Sequence, residues 1–267
     1  MSPSALHDAH VHSHFSSDGR DSVSALCRAA QASGLAGLTI TDHFDLEPSD
    51  PGYGWYDFDR LERAVAQARR EYGDGLSLLI GAEVCFQPAF EEHIAHFLCT
   101  CPLDFVLGGV HYIRHEFVGP EYVGHHPAAE LYDGYLEAVE AMVASGLFDA
   151  LAHLDGAKRY GIPAYGPFDP SPYTERIDRI LRRLIAQGMA LEINTSGWRQ
   201  PPQAPYPDEA ILRRYRELGG ERITFGSDAH EAADVGSGFQ RAMDLARRLG
   251  FAHLTRYVRR QPRLIPL

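Results

Sequence analysis

Near the start of the chain His10 and His12 stand one residue apart, in the stretch His7-Asp8-Ala9-His10-Val11-His12-Ser13-His14 that runs on to Asp18-Gly19. In an extended segment successive side chains alternate in direction, so His10, His12 and His14 are expected on one side, and imidazoles at that spacing can chelate one ion. A chance run of histidines on a solvated strand edge has the same spacing. The rest of the chain argues against it, because Asp42 with His43, Glu83, His111, His153, Asn194 and Asp228 with His230 each follow a short apolar run. Together these histidines and carboxylates offer more donors than one tetrahedral zinc accepts. A cluster of divalent ions is therefore expected, with a carboxylate such as Glu83 able to bridge two of them. Asp42 stays open between ligand, catalyst and orienter of the imidazole beside it.

Ions held close together suit hydrolysis of a phosphate ester, since they lower the pKa of a shared water, polarise the phosphoryl oxygens and neutralise the departing oxygen. Arg159 and Arg199, each in an irregular segment after a strand, can grip nonbridging oxygens as a fork. Ser227 can add a hydroxyl, although a serine in a turn is also simply a good turn former.

Positions as far apart as 10 and 230 need a frame that brings them together. Ser22 can cap a helix with Val23, Leu26, Ala29 and Ala30 on its inner stripe and Gly34 as its stop, and Asp57 can cap a second that runs to about Tyr72. Helical spacing recurs over about Phe90 to Leu98, Ala128 to Ser145, Tyr173 to Gln187, Asp208 to Leu218 and Gly238 to Leu249. Between them lie short apolar strands: the opening one, then Gly37 to Thr41, Leu76 to Gly81, Phe105 to Val110, Ala150 to Ala152, Ala190 to Ile193 and Ile223 to Gly226. The segment Asp155 to Pro172 carries too much Gly and Pro to be regular, and an Arg-rich tail follows the last helix. Strands alternating with helices imply a parallel α/β sheet with right-handed crossovers, and closing it into a barrel leaves no edge. The C-terminal ends of barrel strands share one rim, which is where every polar residue named above is expected.

Lys+Arg 25 against Asp+Glu 36 gives a net charge of -11, which disfavours a nucleic-acid partner and favours a metal ion or a cationic small molecule. No apolar run approaches a membrane span, and the first residues reach the candidate site too soon for a cleavable signal. Cys27, Cys85, Cys99 and Cys101 are too sparse for a disulfide framework and are expected as reduced, buried thiols in a cytoplasmic protein.

The combination Asp8-x-His10-x-His12-x5-Asp18-Gly19, Thr41-Asp42-His43, Gly81-Ala82-Glu83, Gly109-Val110-His111, His153-x-Asp155 and Ser227-Asp228-x-His230 resembles the polymerase and histidinol phosphatase (PHP) superfamily, in order and over nearly the whole chain. Phe15-Ser16-x-Asp18-Gly19, His153-Leu154-Asp155 followed by Lys158-Arg159-Tyr160, and Asn194-Thr195-Ser196-Gly197 are most similar to the monofunctional histidinol-phosphate phosphatases. That resemblance implies a distorted (β/α)7 TIM-like barrel, one domain over residues 1–267, with three divalent metals at its C-terminal mouth. It assigns His10, His12, Glu83 and Asp228 to one metal, Asp18, His43 and His230 to a second, and Glu83, His111 and His153 to a third, with Glu83 bridging. Asp18 stands where some relatives have His, which leaves Zn, Fe or Mn open.

The reaction it implies is hydrolysis of L-histidinol phosphate to L-histidinol and phosphate in histidine biosynthesis, with a metal-bridging hydroxide attacking phosphorus in line with the leaving alkoxide. Arg159, Arg199 and Ser227 resemble the family's phosphate-binding positions, although Trp198 departs from the pattern beside Arg199. His14 and Asp42 are the candidate proton donors to the leaving oxygen. Tyr112, Tyr160 and the loop from Glu47 to Tyr56 are the candidates for recognising imidazole and ammonium. A homo-oligomer stays open.

A metal-dependent amidohydrolase also begins with His-x-His, but it wants a bridging Lys after a middle strand, where this chain has Glu83, and a lone final Asp, where this chain adds His230. A noncatalytic metal-holding module has no need of the two arginines. The remaining alternative is a PHP phosphoesterase of another small phosphate ester or a nucleotide.

Overall fold

Strands that face solvent on one side alternate buried and exposed residues, and those of this chain do not. In β1 (His7–Val11), β2 (Gly37–Ile40), β3 (Ser77–Cys85), β4 (Phe105–Gly109), β5 (Ala150–Leu151), β6 (Ala190–Asn194) and β7 (Ile223–Gly226), every residue except Ser77 is buried. Strands covered on both faces belong to a parallel sheet wrapped by helices. The computed structural model describes residues 6–267 and places β1 to β7 side by side in chain order, all parallel. Beyond β7 the chain returns to β1: Ala229 bridges Val11, His12 N donates to Ala229 O at 2.8 Å, and Asp228 N donates to His10 O at 2.8 Å. The sheet is thus nearly closed, as the expected (β/α)7 barrel requires. Residues 1–5 of the expected domain lie outside the described part.

The helices pack outside the barrel and end where their sequences say they should. Ser22 accepts from Ala25 N at the start of α1 (Val23–Ala32), and Asp57 accepts from Arg60 N at the start of α2 (Phe58–Tyr72). After α3 (Glu91–Thr100) and the short α4 (Pro120–His125), α5 (Ala128–Ser145) stops on Gly146 at φ 68°. Then come α6 (Lys158–Tyr165) and α7 (Thr174–Gln187), the latter ending on Gly188 at φ 69°. α8 (Glu209–Glu217) and α9 (Phe239–Arg248) complete the set. Both glycine ends sit in the left-handed region that side chains with a Cβ avoid.

One expectation is corrected, and one segment that the sequence left without a structure acquires one. The segment Asp155 to Pro172 is not wholly irregular, because α6 crosses it with Pro163 inside. Its Gly161 does not break the helix. A Cβ there would come within 2.2 Å of the Tyr132 hydroxyl, so the glycine lets α6 lie close on α5. The Arg-rich tail is also ordered, as an antiparallel hairpin of β8 (His253–Val258) and β9 (Gln261–Pro266) that turns through Arg259 and Arg260 at φ 50° and 60°. Such turns normally advertise themselves with Asn-Gly, which is absent here.

The hairpin covers the N-terminal end of the barrel. Tyr257 stacks on Phe105 at 5.1 Å among Ala9, Leu107, Ala150, Ala152 and Ala190, and its hydroxyl donates to Asp149 O. The four cysteines are free, with Cys27 and Cys85 buried as expected, Cys99 exposed and Cys101 half-buried. Among the described residues no helix is long and apolar enough to cross a membrane.

Candidate metal centre

The C-terminal ends of the strands open on one cavity of about 350 Å³. Its walls include Asp18, His43, Glu83, His111, His153, Asp228 and His230, contributed by turns after β1, β2, β4, β5 and β7 and by β3 itself. Glu83, almost wholly buried, lies at the centre. Its Oε2 is 3.2 Å from His10 Nε2, 3.4 Å from His12 Nε2 and 3.1 Å from His43 Nδ1, while Oε1 is 2.7 Å from His153 Nε2 and 3.4 Å from His111 Nε2. Asp228 Oδ1 lies 3.5 Å from His12 Nε2 and 3.6 Å from both His10 Nε2 and His230 Nδ1. Farther out, Asp18 Oδ2 is 3.0 Å from His230 Nε2 and 3.5 Å from His43 Nε2.

Atoms bound to one tetrahedral zinc at about 2.0–2.1 Å stand roughly 3.3 Å apart, and most of these gaps bracket that separation. Groups able to hold an ion are His10, His12 and Glu83; His12, Asp18, His43 and His230; Glu83, His111 and His153; and, unexpected from the sequence, His43, Asp45 and His111.

The electrostatics suit cations. Burial alone would raise Glu83, yet the imidazoles of His10, His43 and His111 hold it well below the ordinary carboxylate range. Asp228 is likewise held low by His10, His12 and His230 against the effect of burial. Burial opposes charge on His43 as well, but Glu83, Asp18 and Asp45 lift it to about 9. His12 goes the other way, to about 3, because it is buried beside His230 and His43. His153 and Asp228 hold φ at 27° and 53°, a strained region for residues with a Cβ that is tolerated where surrounding structure fixes it.

Six expected site residues do not line this cavity: His10 and His12 lie fully buried behind Glu83, and four others are held elsewhere. His14 is exposed, its ring tilted against Phe15 at 4.1 Å, because β1 ends at Val11 and the alternation expected to carry His14 inward ends with it. Asp42 is fully buried away from the cavity lining, and its two oxygens accept from Ser13 N at 2.6 Å and Ser13 Oγ at 2.8 Å, so it pins the turn after β1. Ser227 is buried, with its N–H on Asp8 at 2.9 Å. Arg199 is tied to Asp234 at 3.1 Å and to Ser227 O at 2.9 Å. Arg159 does line the cavity, as does Tyr160, whereas Tyr112 reaches it only through its hydrogen bond to Asp50 Oδ2 at 2.5 Å.

Sequence reasoning missed Glu192 and Asp45. Glu192 is wholly buried on β6 with Oε1 2.7 Å from His10 Nδ1, and the signal for it was a lone carboxylate inside an apolar strand. Asp45 is buried on the cavity wall with Oδ1 unpartnered.

Residues 8–196 match the sequence model of the PHP domain. The chain belongs to the PHP domain family. A probable histidinol-phosphatase of Deinococcus radiodurans is 32% identical over 96% of this chain and 99% of its own length. The histidinol-phosphatase of Lactococcus lactis subsp. lactis is 28% identical over 94% of this chain and 93% of its own. The crystal structure of a histidinol phosphate phosphatase from that organism, complexed with zinc, L-histidinol and phosphate, matches this PHP chain with a TM-score of 0.90 at 27% identity, over 97% of this chain and 99% of that one. The barrel and the order of its site-bearing turns are therefore those of a PHP protein, and the amidohydrolase alternative is set aside.

Proposed function

We propose that this chain is a histidinol-phosphatase, a single catalytic domain that hydrolyses L-histidinol phosphate to L-histidinol and phosphate with three divalent ions, zinc, iron or manganese. The observation that carries the reading is Glu83, whose two oxygens face separate sets of imidazoles at ligand-to-ligand separations. His10, His12, Glu83 and Asp228 would hold one ion, Asp18, His43 and His230 a second, and Glu83, His111 and His153 a third. The mixed imidazole and carboxylate donors fit all three metals named. When bound, such ions lower the pKa of a water, polarise the phosphoryl oxygens and neutralise the departing alkoxide.

The chain's own residues do the rest. Arg159, exposed on the cavity wall, receives the phosphate. Arg199 would have to trade a contact with Asp234 or Ser227 to join it, and Ser227 would serve by holding the turn before Asp228. The alcohol half of the substrate carries an ammonium and an imidazole, and the wall formed by Asp45 and Asp50 with the rings of Phe117 and Tyr160 matches a cationic heteroaromatic group. The names of the relatives support this substrate, and the acidic net charge and free thiols support a cytoplasmic enzyme without a nucleic-acid partner.

The test is phosphate release from histidinol phosphate against a panel of sugar phosphates and nucleotides, with Mn, Zn or Fe restored. A clear preference for histidinol phosphate is expected. Equal turnover across the panel would remove the substrate assignment.

A further inference from the structure

Glu192 touches neither the cavity nor solvent, yet three nitrogens converge on it. Oε1 is 2.7 Å from His10 Nδ1, while Oε2 accepts from His153 N at 2.9 Å and from Asn194 Nδ2 at 3.1 Å. The same Asn194 Nδ2 lies 3.2 Å from Asp228 Oδ2. One buried carboxylate is thus joined directly to the ring of His10, to the strained backbone of His153 at φ 27°, and through one amide to Asp228 at φ 53°. Among the described residues no hydrogen bond or ion pair joins it to His43, Asp18 or His230. The neighbouring strand leaves room for this arrangement: a Cβ at Gly226 would stand 2.1 Å from Glu192 Oε1 and 2.5 Å from His10 Cβ.

We infer that Glu192 is a positioning residue that sets the metal affinity of the sites built on His10 and His153 and leaves the site built on Asp18, His43 and His230 alone. The inference rests on the metal-cluster reading above, though not on the identity of the substrate. By taking the proton of His10 Nδ1 as a hydrogen bond, Glu192 leaves Nε2 bare toward Glu83, His12 and Asp228 and fixes the ring's direction. Glutamine is isosteric but cannot substitute. It has a single acceptor oxygen, so whichever way its amide is turned, an NH2 group confronts His10 or the donors on the other side.

The experiment is to strip Glu192→Gln and wild-type protein of metal, equilibrate crystals at fixed free zinc, and read each site's occupancy from anomalous scattering. In the variant the zinc concentration that fills the His10 and His153 sites is expected to rise about 10- to 100-fold, with the Asp18 site filling as in wild type. Filling of every site at wild-type zinc, or equal weakening of all of them, would overturn the inference. No substrate enters the measurement, so failure of the histidinol assignment leaves it intact. Should the variant not fold, 15N-histidine NMR of zinc-loaded wild type decides. His10 is expected to carry its proton on Nδ1, and a bare Nδ1 would overturn the assignment.

Discussion

Replacing Arg159 by alanine separates phosphate binding from the other work of the mouth. The guanidinium lines the cavity, has no carboxylate partner among the described residues, and lies over the Tyr160 ring at 5.2 Å. A side chain with no ion pair to surrender contributes nearly its whole interaction when a phosphate arrives. Hydrogen bonds to charged groups are worth about 1.5–3 kcal/mol, so losing even one should lower kcat/KM roughly 10- to 150-fold. Because phosphate is present in substrate and product alike, KM and the inhibition constant of inorganic phosphate should rise together. Arg159→Lys keeps the charge but loses the fork, and should recover only part of the deficit. The companion Arg199→Ala should cost less, since Arg199 already spends its donors on Asp234 and Ser227 O. Steady-state phosphate release with and without added inorganic phosphate measures all of this. If Arg159→Ala left both KM and phosphate inhibition at wild-type values, the placement of the phosphate against this wall would be wrong.

Other consequences can be tested separately. Asp45→Asn should shrink the preference for histidinol phosphate over its desamino analogue by about tenfold or more, the cost of losing one charge-assisted contact, while zinc content stays at the wild-type level; a drop in zinc would instead make Asp45 a ligand with His43 and His111. Burial, reinforced by Arg256, pushes His7 down from 6.5 to about 3. Below pH 6.5 the unfolded chain therefore takes up a proton that the folded chain refuses, and stability, complete at neutral pH, falls by about 1.4 kcal/mol per pH unit on acidification. His7→Gln should lose about 2 kcal/mol less than wild type between pH 6.5 and pH 5 in urea unfolding, and equal losses would exonerate His7. Arg260 bonds Asp149 at 3.1 Å and Leu147 O at 2.6 Å beneath the barrel. Arg260→Ala strands that largely buried carboxylate and should cost about 1–3 kcal/mol of stability with phosphate release unchanged, whereas a loss of turnover at full stability would contradict the purely supporting role of the hairpin.

The parts of this molecule that could be read from sequence are those whose signal is local. The barrel strands are buried on both faces, so most of them appear as apolar runs, and His43, His111, His153 and Asp228 each follow such a run by a few residues because the strand's end aims them, whereas His10 and Glu83 lie inside β1 and β3. His14 shows the limit of that logic: alternation holds only while the chain is extended, and β1 stops at Val11. The Arg259-Arg260 turn and Gly161 within α6 were obscured for a related reason, since composition says what a residue does by default and the packing of Tyr257 or Tyr132 says what it does here.

The sequence offers Asp42 as a proton donor and Ser227 as a phosphate contact, but the direction of a side chain in a turn depends on partners such as Ser13 and Asp8 that are distant in sequence. Glu192 is the extreme case. Its meaning depends on the register that sets Thr224 beside it and Asn194 beside Gly226, and on His10 lying across the closure of the barrel. A carboxylate in an apolar strand marks an anomaly, and only the pairing of β6 with β7 and the return of β7 to β1 turn that anomaly into a brace for imidazole.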